Sequence, residues 1–190
     1  MFGSPALTLE IVDFEDPRAA RLRGLLTDEL LARYATEEEP HLSEAARKAL
    51  SVPPQDFIAN VLVLTAVGEP IGHGALRRLN GDWEVKRVIT DPEARGLGAA
   101  TALMTELERI AAIAGGRRVI LQTGGKQPEA EALYKKLGYT QIPTYPPYEH
   151  AIPTSICFAK GLQPYGGPSP VHSGPGIEVR PTGGNGPSPT

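Results

Sequence analysis

Apolar and polar positions change period several times along the chain, and each change marks an element. Leu7, Leu9 and Ile11 alternate with polar neighbours up to Asp13, the two-residue period of a half-buried strand. Asp16-Pro17 then offers a helix start, because aspartate can cap free amides and proline at the first helical position gives up an N–H that has no partner there. Leu22, Leu25, Leu26, Leu30 and Tyr34 follow at helical spacing as one apolar face. Glu37, Glu38, Glu39 and Pro40 break that helix. Ser43 before Glu44 predicts a second, short helix to about Leu50, closed by Val52-Pro53-Pro54.

From Phe57 the period becomes extended, with three runs separated by Gly68-Glu69-Pro70 and Asn80-Gly81. Asn-Gly between extended runs is a strong hairpin signal, since both residues tolerate positive φ, so the runs predict an antiparallel meander. In the third run Trp83 and Val85 alternate with Glu84 and Lys86, but Arg87, Val88 and Ile89 fall out of phase. One extra residue near Arg87 restores the pattern, which predicts a β-bulge there. After Asp91-Pro92 a helix carries Ala100, Leu103, Leu107, Ile110, Ala111 and Ala114 on one face and stops at Gly115-Gly116. A short strand follows. Gln127-Pro128 then opens a helix with Ala130, Leu133, Tyr134 and Leu137 inward and Gly138 at its end, and residues 154–160 supply the last strand. The order β-α-α-β-β-β-α-β-α-β-β predicts an α/β domain with one mixed, mostly antiparallel sheet flanked by helices.

Composition adds a boundary. The 190 residues include 21 Gly and 19 Pro, and seven of each fall in 164–190, so a domain over 1–163 is expected to precede a Pro/Gly-rich disordered tail, a partner-binding arm being the alternative. Hydrophobic content of 41% with 22% charge excludes a disordered chain overall, and a single cysteine, Cys157, excludes a disulfide scaffold. Net charge is −3 and the cations are scattered, without the basic stripe that counterion release from nucleic acid requires. No apolar run approaches the roughly 18 residues of a membrane span, and acids stand where a signal peptide carries basic residues; a cytoplasmic protein bound to neither membrane nor nucleic acid is expected. His41, His73, His150 and His172 lack metal-ligand spacing, so no metal is predicted.

The segment Arg95-Gly96-Leu97-Gly98-Ala99-Ala100 lies between a strand and a helix. Free amides at a helix start, with glycines that let the backbone approach, make it a candidate pyrophosphate cradle. It is not a dinucleotide fingerprint, since Thr101 replaces the third glycine and the next strand ends in Gln122-Thr123 rather than an acid; nor is there a Gly-Lys-Ser/Thr of a Walker loop.

A strand with Glu84 and Lys86, an Arg-x-x-Gly-x-Ala turn into a helix, another strand, and then Ala-Leu-Tyr-Lys-Lys-Leu-Gly-Tyr resembles the GNAT superfamily of acyl-CoA-dependent N-acetyltransferases. The resemblance runs from about residue 7 to 162. Gln122 to Ala130, Tyr148 and the strand from Ser155 to Lys160 further resemble a bacterial small-molecule subgroup. The resemblance implies acetyl-CoA as co-substrate, with its pyrophosphate on the amides from Arg95 to Ala100 and its pantetheine arm beside Val88 and Ile89, where the bulge would free backbone N–H groups for the thioester oxygen. Tyr134 matches the helix tyrosine near the thioester sulfur, an acid for the leaving thiolate; the other reading is a core tyrosine. Glu84 matches the position of a water-relayed base, the other reading being an ion pair with Lys86. Gln127 or Glu129 stands where the family often has asparagine, a departure that bears on the adenine-side or pantetheine contact.

The acceptor pocket of such folds is built by the segment between the first two helices and the loop before the last strand. Here these carry Tyr34, Glu37, Glu38 and Glu39, then Tyr145, Tyr148 and His150, which would suit a cationic amine if the acidic run is not simply solvated. The function implied is direct acetyl transfer to a primary amine of a small molecule through a ternary complex. A protein lysine or N-terminal acetyltransferase and a non-catalytic acyl-CoA sensor are the rivals; a homodimer is common in the superfamily.

Overall fold

The computed structural model describes residues 6–35 and 42–166. The acidic run with Glu38, and the tail from residue 167, lie outside the described residues. The chain runs β1 (Thr8–Val12), α1 (Pro17–Tyr34), α2 (Glu44–Leu50), β2 (Phe57–Leu64), β3 (Pro70–Leu79), β4 (Asp82–Thr90), α3 (Ala99–Ile113), β5 (Arg118–Gly124), α4 (Pro128–Lys136), β6 (Thr140–Ile142), α5 (Tyr148–Ala151) and β7 (Ser155–Gly161). Seven strands form one sheet in the order β1-β2-β3-β4-β5-β7-β6, antiparallel except between β4 and β5. This is the expected order with one addition, α5, whose four residues are too few to show a helical period. Among the described residues no helix is long and apolar enough to cross a membrane.

Local chemistry sets the element ends. Asp16 caps α1 by accepting from the Arg18 amide at 2.8 Å, and Ser43 caps α2 by accepting from the Ala46 amide at 3.1 Å. Asn80 and Gly81 both take positive φ, 51° and 90°, in the β3–β4 hairpin. On one side of the sheet Leu103, Met104, Leu107 and Ala111 of α3 pack on Val61, Val63, Leu76 and Val85. Gly74 permits this close seat, for a Cβ there would stand 3.1 Å from both Leu103 and Leu107. On the other side Ala19 and Leu22 of α1 pack on Leu62, Leu64 and Ile89. The central strand β4 therefore has both faces covered.

The first strand departs from expectation in which face it buries. Leu9 and Ile11 pair with Val63 and Val61 and so share the α3 side, yet they are 38% and 48% exposed. β1 is the sheet edge, and α3 packs chiefly on the strands further in. The better-covered positions are Val12, packed against the α1 cluster, and Glu10, which takes Arg18 Nη2 at 2.9 Å.

Candidate functional site

The β3–β4 ladder runs to Ala75↔Lys86 and resumes at His73↔Ile89, so Arg87 and Val88 together oppose Gly74 alone. This is the bulge that the phase slip predicts, and Arg87 takes φ +58° to make it. Its consequence lies on the other edge of the strand. β4 pairs with β5 only from Trp83↔Val119 to Val85↔Leu121, while β5 continues along β7 to Gly124↔Ser155. The two strands part after Val85: Lys86, Ile89 and Thr90 have ladder partners only in β3, and the bulged Arg87 and Val88 have none in either strand.

The opening holds a cavity of about 360 Å³ lined by Val88, Ile89, Arg95, Gly96, Gly98, Ala99, Ala100, Gln127 and Tyr134, all singled out from the sequence. Leu97 does not line it and is 41% exposed. Gly96 and Gly98 each take φ +85°, and a Cβ on either would meet nothing within 4 Å. Glycine is needed there for backbone conformation, and the space in front of it is open. No side chain caps α3, so the first-turn amides of this 15-residue helix, at the positive end of its dipole, suit an anion of pyrophosphate type. Arg95 donates to Glu29 of α1 at 2.6 Å; Glu29 also takes Arg33 at 2.5 Å, and Arg33 reaches Glu129 of α4. Leu26 and Glu29 thereby make α1 a wall of the cavity, a role that sequence reasoning missed. The available signal was the Glu29-to-Arg33 spacing on a helix whose apolar face already pointed inward.

Tyr134 is the one buried residue of α4, with its ring centroid 5.9 Å from those of both Tyr139 and Phe158. Burial pushes its phenol well above the ordinary tyrosine value, which keeps the O–H protonated. It is at once a core tyrosine and a cavity wall.

Glu84 is 0% exposed and fully engaged. Arg77 Nε donates to its Oε2 at 2.5 Å, while the hydroxyls of Tyr145 and Tyr148 donate to its Oε1 at 3.0 and 2.8 Å. Lys86 Nζ donates to the Tyr148 oxygen at 2.7 Å. The ion pair expected between Glu84 and Lys86 is replaced by Glu84 with Arg77, its direct cross-strand partner, because the Tyr148 hydroxyl stands between the carboxylate and Lys86. Burial lowers the Lys86 ammonium to about 8 against the opposing pull of Glu84. Burial and the adjacent Glu84 push both tyrosine phenols up. The structure thus brings Glu84, Tyr145 and Tyr148 together. Tyr34 belongs elsewhere: its hydroxyl accepts from the Lys126 amide at 2.9 Å, and a Cβ on Gly124 would stand 2.1 Å from that oxygen.

Beyond the bulge the same side of the sheet carries a cluster that the sequence did not disclose. Arg23 of α1 and Arg87 lie 4.0 and 5.7 Å from the Phe14 ring centroid, and Phe14 stacks on Phe57 at 5.4 Å. Arg23 Nη2 donates to the Phe14 carbonyl at 2.7 Å, but Arg23 Nη1 and Arg87 Nε are buried without a partner. His73 beside them lies 3.4 Å through Nδ1 from the Arg87 carbonyl; burial, and then Arg23, lowers its pKa to about 4, so the ring is neutral. A buried unpaired donor costs about 1–3 kcal/mol, comparable to or more than the roughly 0.5–2 kcal/mol of a cation–π contact.

The profile of the acetyltransferase (GNAT) family matches residues 20–139. An Azospirillum brasilense protein named IAA acetyltransferase is 35% identical over 89 residues, 46% of this chain, and the chain spans 58% of the length of that curated relative. Among solved structures, a Klebsiella pneumoniae protein provisionally named acyl-CoA N-acyltransferase is 26% identical with a TM-score of 0.67, over 83% of this chain and 98% of its own. PaiA N-acetyltransferase of Thermoplasma acidophilum, solved with coenzyme A, shares the fold at 16% identity and a TM-score of 0.62, over 83% of this chain and 99% of its own. The matched span takes in the bulged strand, the glycine turn and the Tyr134 helix, and it exceeds half of the chain: this protein belongs to the GNAT family of acetyltransferases.

Proposed function

We propose that the protein transfers acetyl from acetyl-CoA directly to a primary amine of a small molecule, in a cytoplasmic setting that suits its free Cys157. The observation that carries this reading is the parting of β4 and β5 after Val85, which opens a cleft between an uncapped helix start and Tyr134. Acetyl-CoA, as substrate, supplies a thioester whose carbonyl carbon the amine attacks, forming the C–N bond and breaking the C–S bond. The amides of the Arg95 to Ala100 turn bind the pyrophosphate, and the β5-side backbone of Val88 and Ile89 steadies the thioester oxygen. The Tyr134 hydroxyl gives its proton to the departing sulfur.

Glu84 has no exposed oxygen, so a proton reaches it through a hydroxyl rather than a free water. Tyr145, the less buried of its two phenolic donors, takes the amine proton as its own passes to Glu84 Oε1. The test is release of CoA thiol from acetyl-CoA with polyamines, amino acids and aminoglycosides. Turnover with at least one of them is expected, and Tyr134→Phe should lower kcat by more than about tenfold with little change in KM for acetyl-CoA. A smaller loss removes the acid role. Acetylation of proteome lysines with no small-amine turnover would mark a protein acetyltransferase, and binding of acetyl-CoA without any turnover a sensor.

A further inference from the structure

We infer that Arg23 and Arg87 form an anion site that takes the carboxylate of the acceptor, so that the substrate is an amine that also carries a carboxylic acid. This rests on the N-acetyltransferase reading and narrows it. Two guanidiniums on different elements lie against the Phe14–Phe57 stack, and each keeps a buried N–H without an acceptor. Among the described residues neither makes an ion pair; Asp16, close to Arg23 in sequence, is held by Arg18 at 2.8 Å. Both guanidiniums are destabilised by burial, and Arg87 further by Arg23 itself. Lys86 and Arg77 add positive charge to the same side of the sheet, where Glu84 is matched to Arg77. Contacts with the Phe14 and Phe57 rings, the latter 5.3 Å from Arg87, give neither orphan N–H an acceptor, whereas a carboxylate within reach of both guanidiniums would satisfy them with charge-assisted bonds.

Position supports a substrate site. Arg87 directly precedes Val88 and Ile89, and Arg23 lies one helical turn before Leu26; all three neighbours line the cleft. The charge offered by the described residues is opposite in sign to the acidic run, which by itself would suit a purely cationic acceptor.

Matched acceptors and a turnover-free binding measurement test the idea separately. Amino acids should be acetylated with kcat/KM at least about tenfold above their carboxamides, which lack only the anion, and Arg87→Met and Arg23→Met should erase that preference. Equal rates for acid and amide would overturn the proposal while leaving the acetyltransferase reading intact. Without acetyl-CoA and at fixed ionic strength, propionate should raise Tm saturably in the wild type and not in either variant, while propionamide does nothing. Saturation by inorganic phosphate but not propionate would overturn the carboxylate assignment in favour of a phosphoryl group. Arg-dependent propionate binding with no amine turned over would sink the enzymatic reading and keep the site. Methionine retains the aliphatic packing of arginine and, on α1, its helix propensity, so Arg87→Met should melt no lower than wild type in anion-free buffer, and Arg23→Met, which gives up the bond to the Phe14 carbonyl, only slightly lower. A lower Tm in both, with unchanged acid-over-amide preference, would show that the pair is a structural stack.

Discussion

Among single residues, Glu84 and Tyr145 separate stability from chemistry. Glu84→Gln leaves the Arg77 guanidinium buried without its countercharge, and loss of one partner of such a pair costs about 3–5 kcal/mol, readable by urea denaturation. Tyr145→Phe removes one of three donors to the carboxylate and should cost only about 1 kcal/mol, yet it interrupts the proposed relay. Its kcat is expected to fall more than about tenfold. A Tyr145→Phe enzyme with full turnover would mean that the proton leaves by another route. His73 supplies a pH signature. Folded, it is held down to about 4 against an ordinary 6.5, so between those values the unfolded chain binds a proton that the folded chain does not. Stability therefore declines as pH falls from about 6.5 to about 4, by about 2–3 kcal/mol for this residue at roughly 1.4 kcal/mol per unit. His73→Gln should flatten that part of the denaturation profile.

Two glycines, each with free space around its Cβ position, make opposite predictions at the level of elements. Gly98 stands at the N-cap of α3 with φ +85°, where alanine pays the left-handed cost of about 1–2 kcal/mol, and the shifted turn should raise KM for acetyl-CoA. Gly24 lies inside α1 without a positive φ, so Gly24→Ala should stabilise by about 0.5–1 kcal/mol and leave kinetics unchanged. Thermal melts with acetyl-CoA titrations of the two variants check both. Features of this kind were the legible ones: the caps at Asp16 and Ser43, the Asn80-Gly81 turn, the phase slip at Arg87 and the glycine turn before α3 are decided by a few adjacent residues. Less legible were choices made between distant elements. Whether Leu9 and Ile11 find cover depends on how far α3 extends over an edge strand, and which cation meets Glu84 depends on cross-strand register and on the Tyr148 hydroxyl. Arg23 and Arg87 meet only because α1 crosses the sheet beside the bulge, a placement no local pattern encodes.

For the whole molecule, the sheet consists of β1 to β4 on one side and β5, β7 and β6 on the other, joined through three residue pairs between Trp83 and Val85 and their partners Val119 to Leu121. α3 packs chiefly on the first group and Tyr134 of α4 on Phe158 in the second, while one apolar cluster continues from α3 to Val119, Leu121 and Phe158, and Lys160 of β7 donates to Glu108 of α3 at 2.7 Å. The proposed acetyl-CoA site touches both: the glycine turn belongs with one and Gln127 and Tyr134 with the other.

Where the sheet itself is joined by only three ladder pairs, the protein is expected to open as two cooperative units, with the shared apolar cluster as the contact that opposes it. In native-state amide exchange, the β2–β3 core and the β5–β7 core should give two distinct opening free energies, with amides near Val85 and Leu121 following the weaker. Acetyl-CoA, by bridging the units, should slow exchange in both and draw the two values together. A single value shared by every core amide in the free protein would mean that three ladder pairs and the packing around them already weld the halves.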